Sequence, residues 1–350
     1  MSLRSSYDGL VCDLDGVVYR GPDPVPHAVE VLDGGTAPVV YATNNASRPP
    51  AAVVEHLRRL GLTLDDDAVV TSSQAGARRL AGRVPTGARV LAVGGEGVTL
   101  ALRERGLEPL APADLRAGAD PVVAVLQGYG PEVTAADLAE AAYAVEGGAD
   151  WVATNTDGTL PTDRGVAPGN GTLVSAVARA TGTQPEVVGK PEADLYDVAA
   201  ERLGSRRLLG VGDRLDTDIL GADAAGMDSL WVLTGVHDLA SLADVAGSPQ
   251  PTYVARDLRA LDADPVPVRQ EDGWTVAGGH RARLADERLE VERTRPVADA
   301  DPDVAEAEVL AAGLRLLLTA RDAGTDADRL RDLAHAVDDA ARTARSGAAH

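Results

Sequence analysis

Asp13 and Asp15 follow an apolar run, Leu10-Val11-Cys12, and are followed at once by Gly16. Spaced i, i+2 past a strand-like run, they stand at a strand end, where the glycine lets the chain turn sharply. Carboxylates at the tip of a buried strand cost desolvation free energy unless they meet a cation, so the pattern asks for a metal or another positive partner. Taken alone, an acidic surface turn explains them equally well. Three more stretches carry comparable chemistry: Thr43-Asn44-Asn45 after an apolar run at 37–42, Gly189-Lys190-Pro191 after a short run at 186–188, and Gly212-Asp213 through Asp218 after the run at 207–211. Lys190 is the sole lysine in a chain with 33 Lys and Arg together. That marks a place where a compact ammonium is wanted rather than a planar fork.

Together the four tips suit phosphoryl chemistry. Asp13 and Asp213 offer hard oxygen ligands that, with a main-chain carbonyl, waters and a substrate phosphate, fit octahedral Mg²⁺ better than Zn²⁺, for which no His/Cys cluster exists. Asp218, five residues on, would bind the ion through water or hold a ligand in place. Thr43, nearby main-chain N–H groups and Lys190 would hold phosphoryl oxygens, with Lys190 offsetting negative charge. Asp13, nearest the strand end, is the candidate nucleophile through an aspartyl-phosphate. Asp15 is the candidate to protonate the leaving alcohol and then activate water.

The elements that must position these residues alternate. A strand with its polar tip at 10–19 is followed by strand, polar tip and helix at 37–59, with Ser47 as the expected N-cap, and by strand and helix at 68–82, the βα pattern of a parallel sheet with ligands beyond its carboxyl strand ends. A second α/β series begins near residue 84: strands at 89–93, 121–126 and 151–154, helices at 96–105 and 134–145, a polar loop at 155–167, and a helix after Pro168-Gly169-Asn170-Gly171. Gly94-Gly95-Glu96-Gly97 lacks the spacing of a dinucleotide loop and reads as a tight strand-to-helix turn. The first pattern resumes at 186, with a helix at 193–203, strands at 207–211 and 229–233, and a helix at 219–225. From about 265 come strand-like pieces at 274–277 and 289–291, a Pro/Asp-rich segment at 295–303, and two amphipathic helices at 304–323 and 326–345. Val304, Leu310, Leu314 and Leu317 form the apolar stripe of the first helix.

The 350 residues carry a formal charge of −21 and are 45% apolar. That length predicts two or three domains, and the charge disfavours nucleic-acid partners. No apolar stretch reaches the ~20 residues that span a bilayer, and the N-terminus lacks a signal-peptide pattern, so a cytoplasmic protein is expected. The lone cysteine, Cys12, reads as a buried spectator.

Asp13-Leu14-Asp15-Gly16-Val17-Val18-Tyr19, Thr43-Asn44-Asn45, Gly189-Lys190-Pro191 and Gly212–Asp218 resemble, in order, the four motifs of the haloacid dehalogenase superfamily of phosphatases. The resemblance implies a doubly wound, Rossmann-like parallel-sheet core (1–83 and 186–264), an inserted α/β cap of class IIA (84–185) and a small C-terminal α/β appendage (265–350). It implies a nucleophile at Asp13, acid/base at Asp15, Mg²⁺ on Asp13, the Asp15 carbonyl and Asp213, and phosphate contacts from Thr43, Asn44 and Lys190. Pro168-Gly169-Asn170-Gly171 is similar to that class's Pro-Gly-Thr-Gly element, with Asn in place of Thr. The loop Thr154-Asn155-Thr156-Asp157 resembles that of glycerol-3-phosphate and phosphoglycolate phosphatases in the class. The implied substrate is a small phosphate ester, glycerol 3-phosphate first, with phosphoglycolate, pyridoxal phosphate or broad 4-nitrophenyl phosphatase activity as alternatives. Candidate selectors in the cap are Asn155, Asp157 and Arg164. The appendage resembles part of an acetyltransferase-like fold but has no acyl-CoA pyrophosphate loop, so acetyl transfer is not expected. Homo-oligomerisation is left open. A non-catalytic phosphometabolite sensor is the competing class, and a second proton-handling carboxylate, Asp15, speaks against it.

Overall fold

The computed structural model describes residues 1–162, 164–285, 288–294 and 301–347. Most of the expected Pro/Asp-rich segment, 295–300, therefore lies outside the described residues, as does residue 163 of the 155–167 loop. The chain divides into two compact units, residues 1–39 with 206–350, and residues 40–205.

In the first unit, strands Gly9–Cys12, Leu208–Gly212, Asp228–Val232 and Tyr253–Ala255 run parallel as successive neighbours. Gly9–Cys12 and Leu208–Gly212 are buried at every residue, as apolar strands covered on both faces must be. Their register pairs Gly9 with Leu208 and Cys12 with Val211, so the chain leaves both strands at the same level, into Asp13 on one and Asp213 on the other. Cys12 is fully buried, as expected.

The C-terminal part of this unit is a four-stranded antiparallel meander, Val268–Glu271, Trp274–Ala277, His280–Ala285 and Arg288–Arg293, followed by helices Pro302–Asp322 and Ala327–Ser346. Asp272-Gly273, both at positive φ, makes the tight turn between the first two strands. The first and third strands were not foreseen. Val268–Glu271 is exposed throughout, and His280–Ala285 puts arginines on alternate positions, so neither reads as an apolar run. Trp274 lies with Arg281 and Arg283 each just over 4 Å from its ring centre, which covers it with cationic side chains. Leu310, Leu314 and Leu317 pack with Leu330, Leu333 and Val337 and onto Trp231, Ile219 and Leu242 in one apolar cluster. Val304, expected on that stripe, is 46% exposed instead, being in the first helical turn beyond the packed face.

In the second unit, Val39–Thr43 and Val69–Thr71 pair in parallel, and Thr71 caps the helix Ser72–Ala81 with a capping box to Gln74. A five-stranded parallel sheet has the order Glu186–Val187, Asp150–Ala153, Ala124–Gln127, Arg89–Val93, Glu108–Leu110. Gly94–Gly97 is the strand-to-helix turn expected; a Cβ on Gly95 would lie 2.4 Å from the Ser47 carbonyl. Three expectations change. Glu186–Val187 does not resume the first pattern but is the edge strand of this sheet, registered with Val152 and Ala153. The 155–167 loop contains an antiparallel hairpin, Thr159–Thr162 with Gly165–Pro168. The helix Pro50–Arg59 is entered through Pro49, because Ser47 is held back by Asn45, whose Oδ1 accepts both its N–H and its hydroxyl.

Candidate active site

In the first unit, one carboxylate oxygen from each of Asp13, Asp213 and Asp218 lies within 4.8 Å of the others. Each is placed by backbone. The Asp13 N–H donates to the Val211 carbonyl at 2.8 Å, continuing the strand pairing one residue past Cys12. Asp213 is fully buried; its Oδ2 accepts the Val236 N–H at 2.6 Å, and its carbonyl accepts the Trp231 indole N–H at 3.1 Å. Leu215–Ile219 is a widened π-helical turn, a device that recurs at functional sites. It returns Asp218 toward its own strand, where Oδ2 accepts the Arg214 N–H at 3.1 Å.

Glycines make the room. A Cβ on Gly235 would lie 1.8 Å from Asp213 Oδ2, one on Gly16 2.6 Å from the same atom, and one on Gly212 2.1 Å from the Asp218 Cβ. Gly16 also holds φ +86°, which only glycine adopts freely. Three buried or half-buried carboxylates, all hard oxygen donors, in a cradle that admits no extra side chain fit a divalent ion such as Mg²⁺. Asp15 is exposed and its carboxylate is outside the trio. Beside the cluster, burial lowers the pKa of His237, whose Nδ1 accepts the Leu215 N–H at 2.9 Å. Burial would raise Asp216, but the Arg214 guanidinium holds it below the usual carboxylate range.

The second unit carries the remaining residues. Thr43 is 4% exposed at the end of its strand, with Oγ1 accepting the Asn45 N–H at 3.1 Å. Lys190 is as deeply buried, and its Nζ donates to the Ala42 carbonyl at 3.0 Å. Asn44, Asn155 and Asp157 come together around Lys190: Asn155 Nδ2 donates to the Asn44 carbonyl at 2.8 Å and Asn44 Nδ2 to Asp157 Oδ2 at 3.4 Å. Arg164 does not join them; it is exposed at the turn of the hairpin.

Sequence reasoning missed Trp231, Thr234, Gly235 and the Val236 N–H, which back the acid trio; the Thr234 hydroxyl donates to the Gly16 carbonyl at 2.7 Å. The available signal was another apolar strand followed within a few residues by glycine. It also missed Ser72, whose hydroxyl donates to the Asn44 carbonyl at 2.7 Å.

Comparison with known proteins places the chain. The family described as haloacid dehalogenase-like hydrolase matches residues 10–108, and a related HAD-hydrolase-like family matches 187–261. D-glycerol 3-phosphate phosphatase of Mycobacterium tuberculosis is 44% identical over 280 residues, 79% of this chain and 78% of that protein. Acid sugar phosphatase of Staphylococcus aureus is 36% identical over 263 residues, 74% of this chain and 98% of that protein. The crystal structure of glycerol phosphate phosphatase from M. tuberculosis in complex with magnesium superposes with a TM-score of 0.78 at 39% identity, over 90% of this chain and 92% of that one. That of p-nitrophenyl phosphatase from Archaeoglobus fulgidus gives 0.65 at 29% identity, over 73% and 98%.

Proposed function

Since the chain belongs to the haloacid dehalogenase-like hydrolase family and is a phosphatase within it, we propose that it hydrolyses glycerol 3-phosphate to glycerol and phosphate. The observation that carries the substrate is the 44% identity to D-glycerol 3-phosphate phosphatase over 280 residues. Asp13 attacks phosphorus and forms an aspartyl-phosphate as the ester P–O bond breaks, while Asp15 gives its proton to the departing glycerol oxygen. Asp15, now ionised, takes a proton from water; the water oxygen bonds to phosphorus and the Asp13–phosphorus bond breaks, returning both carboxyls to their starting states. Thr43, the Asn44 main-chain N–H and Lys190 hold the phosphoryl oxygens. Asp13, the Asp15 carbonyl and Asp213 would hold Mg²⁺, with Asp218 beside them. When bound, the ion supplies positive charge against the negative charge of the transferring phosphoryl group.

Asn155 and Asp157 select the alcohol part, and Arg164, at the hairpin turn, is the outermost selector. On this reading the core, expected at 1–83 and 186–264, resumes only after Val187, and the appendage is 265–350. The cap begun at 84 runs on through Glu186–Val187, just past the boundary expected at 185, because that strand completes its sheet. Among the described residues no helix is long and apolar enough to cross a membrane. The test is kcat/KM for glycerol 3-phosphate, phosphoglycolate, pyridoxal phosphate and 4-nitrophenyl phosphate, with Mg²⁺ and with chelator. Glycerol 3-phosphate should lead and turnover should need the metal. A tenfold preference for any of the others would overturn the substrate.

A further inference from the structure

Three asparagines of the second unit make one connected chain of hydrogen bonds. Asn44 Oδ1 accepts the Lys190 main-chain N–H at 2.8 Å, and Asn44 Nδ2 donates to the Lys190 carbonyl at 3.1 Å. One side-chain amide thus grips both main-chain polar groups of Lys190, and the N–H contact fixes which amide atom is the oxygen. Asn155 donates to the Asn44 carbonyl, and its Oδ1 accepts the Asp157 N–H at 3.2 Å. Asn170 Nδ2 donates to the Asn155 carbonyl at 2.7 Å and to the Gln127 carbonyl at 3.4 Å. Asn155 and Asn170 are 4% and 2% exposed, so these bonds form where water does not compete and a lost partner is costly. No slack remains at Gly189, where a Cβ would lie 2.3 Å from the Thr154 carbonyl and 2.7 Å from Asn44 Oδ1.

We propose that Asn44, Asn155 and Asn170 are positioning residues, an amide ladder that sets Lys190 and Asp157 as one piece. The inference rests on Lys190 as the phosphate-holding ammonium and Asp157 as the selector. Through the ladder, the Asn44 side chain serves the reaction by orienting Lys190, and any contact of Asn44 with phosphate falls to its main-chain N–H. Asn170 adds a rung that the Pro-Gly-Thr-Gly form does not supply in the same way, since a threonine hydroxyl is one bond shorter than the amide nitrogen. Misplacing a catalytic group by about 1 Å costs on the order of a hundredfold in rate, which sets the scale of the effect.

The experiment compares Asn44→Ala, Asn44→Asp, Asn170→Asp, Asn155→Ala and Lys190→Ala in the full chain. Readouts are kcat and KM on glycerol 3-phosphate and 4-nitrophenyl phosphate, and Ki for inorganic phosphate. Asn44→Ala should lower kcat about 10- to 100-fold on both esters and raise the phosphate Ki. Asn44→Asp, which keeps the acceptor for the Lys190 N–H but loses the donor, should fall between it and wild type and serves where Asn44→Ala fails to fold. Asn170→Asp, with the donor removed at constant shape, should cut the preference for glycerol 3-phosphate over 4-nitrophenyl phosphate about tenfold, and less than additively with Asn155→Ala. If Lys190→Ala leaves the phosphate Ki unchanged, the reading of Lys190 fails and the inference with it. If Lys190→Ala weakens phosphate while Asn44→Ala and Asn44→Asp stay within twofold of wild type, the ladder alone is overturned.

Discussion

The acid trio and the amide ladder solve opposite electrostatic problems with opposite materials. Asp13, Asp213 and Asp218 repel one another, and they are held by main-chain N–H groups, an indole and the absence of side chains at Gly16, Gly212 and Gly235. Around Lys190 neutral side-chain amides take a larger part: Asn44 grips its main-chain N–H and carbonyl, Asn155 holds Asn44 and Asn170 holds Asn155, while the ammonium donates to the Ala42 carbonyl. Neutral donors can hold a carboxylate without cancelling the charge a cation needs. Neutral amides can likewise aim an ammonium without competing for the phosphate it attracts.

That contrast can be broken in steps. Asp13→Asn should lower kcat by about 10⁴-fold or more while circular dichroism stays unchanged, because the nucleophile is lost and the fold keeps its shape. Phosphate release near the wild-type rate would remove Asp13 from its role. Lys190→Ala should cost about 10²- to 10³-fold in kcat/KM, and Lys190→Arg should recover little of it, since the planar fork does not fit where a buried ammonium donates to the Ala42 carbonyl. Equal activity of the arginine variant would show that charge alone suffices there. Gly235→Ala should weaken Mg²⁺ binding about 10- to 100-fold, measured by calorimetric titration, because the new methyl meets Asp213. Unchanged affinity would mean that the trio tolerates displacement.

The smallest effect lies in the arginine–carboxylate pairs of residues 256–259, one of which reaches Asp338 of the appendage. Burial would raise Asp338 and Asp257, but the Arg256 ion pair and an Arg342 hydrogen bond on the first, and hydrogen bonds from Arg259 to the second, hold both below the usual carboxylate range. A depressed carboxylate stabilises the fold above its unfolded pKa near 4 and loses that contribution as pH falls through the folded value. The melting temperature should therefore drop as pH is lowered from about 4, and Arg256→Ala should flatten the slope. An unaltered slope would show that the Arg256 pairs contribute nothing there.

The residues that could do chemistry were legible because each stood at the end of an apolar strand, a pattern that depends on local sequence alone. Their supports were not. Trp231 reads as an ordinary core residue, and only the fold shows that its indole holds the Asp213 carbonyl. Asn44 and Asn170 are 126 positions apart, and nothing local says that they share a ladder. The strand at 186–187 was placed in the wrong sheet because two residues carry no information about which edge they will pair with. The Val268–Glu271 strand has no apolar face and was invisible to periodicity.

The three tryptophans fall one to each region: Trp151, whose indole donates to Gln127 Oε1 at 3.2 Å in the five-stranded sheet, Trp231 behind the acid trio, and Trp274 against two arginines in the meander. The chain is thus wired with three separate fluorophores. Variants retaining one tryptophan each would report, by emission wavelength alone, the order in which the regions melt and whether a divalent ion is felt only at Trp231.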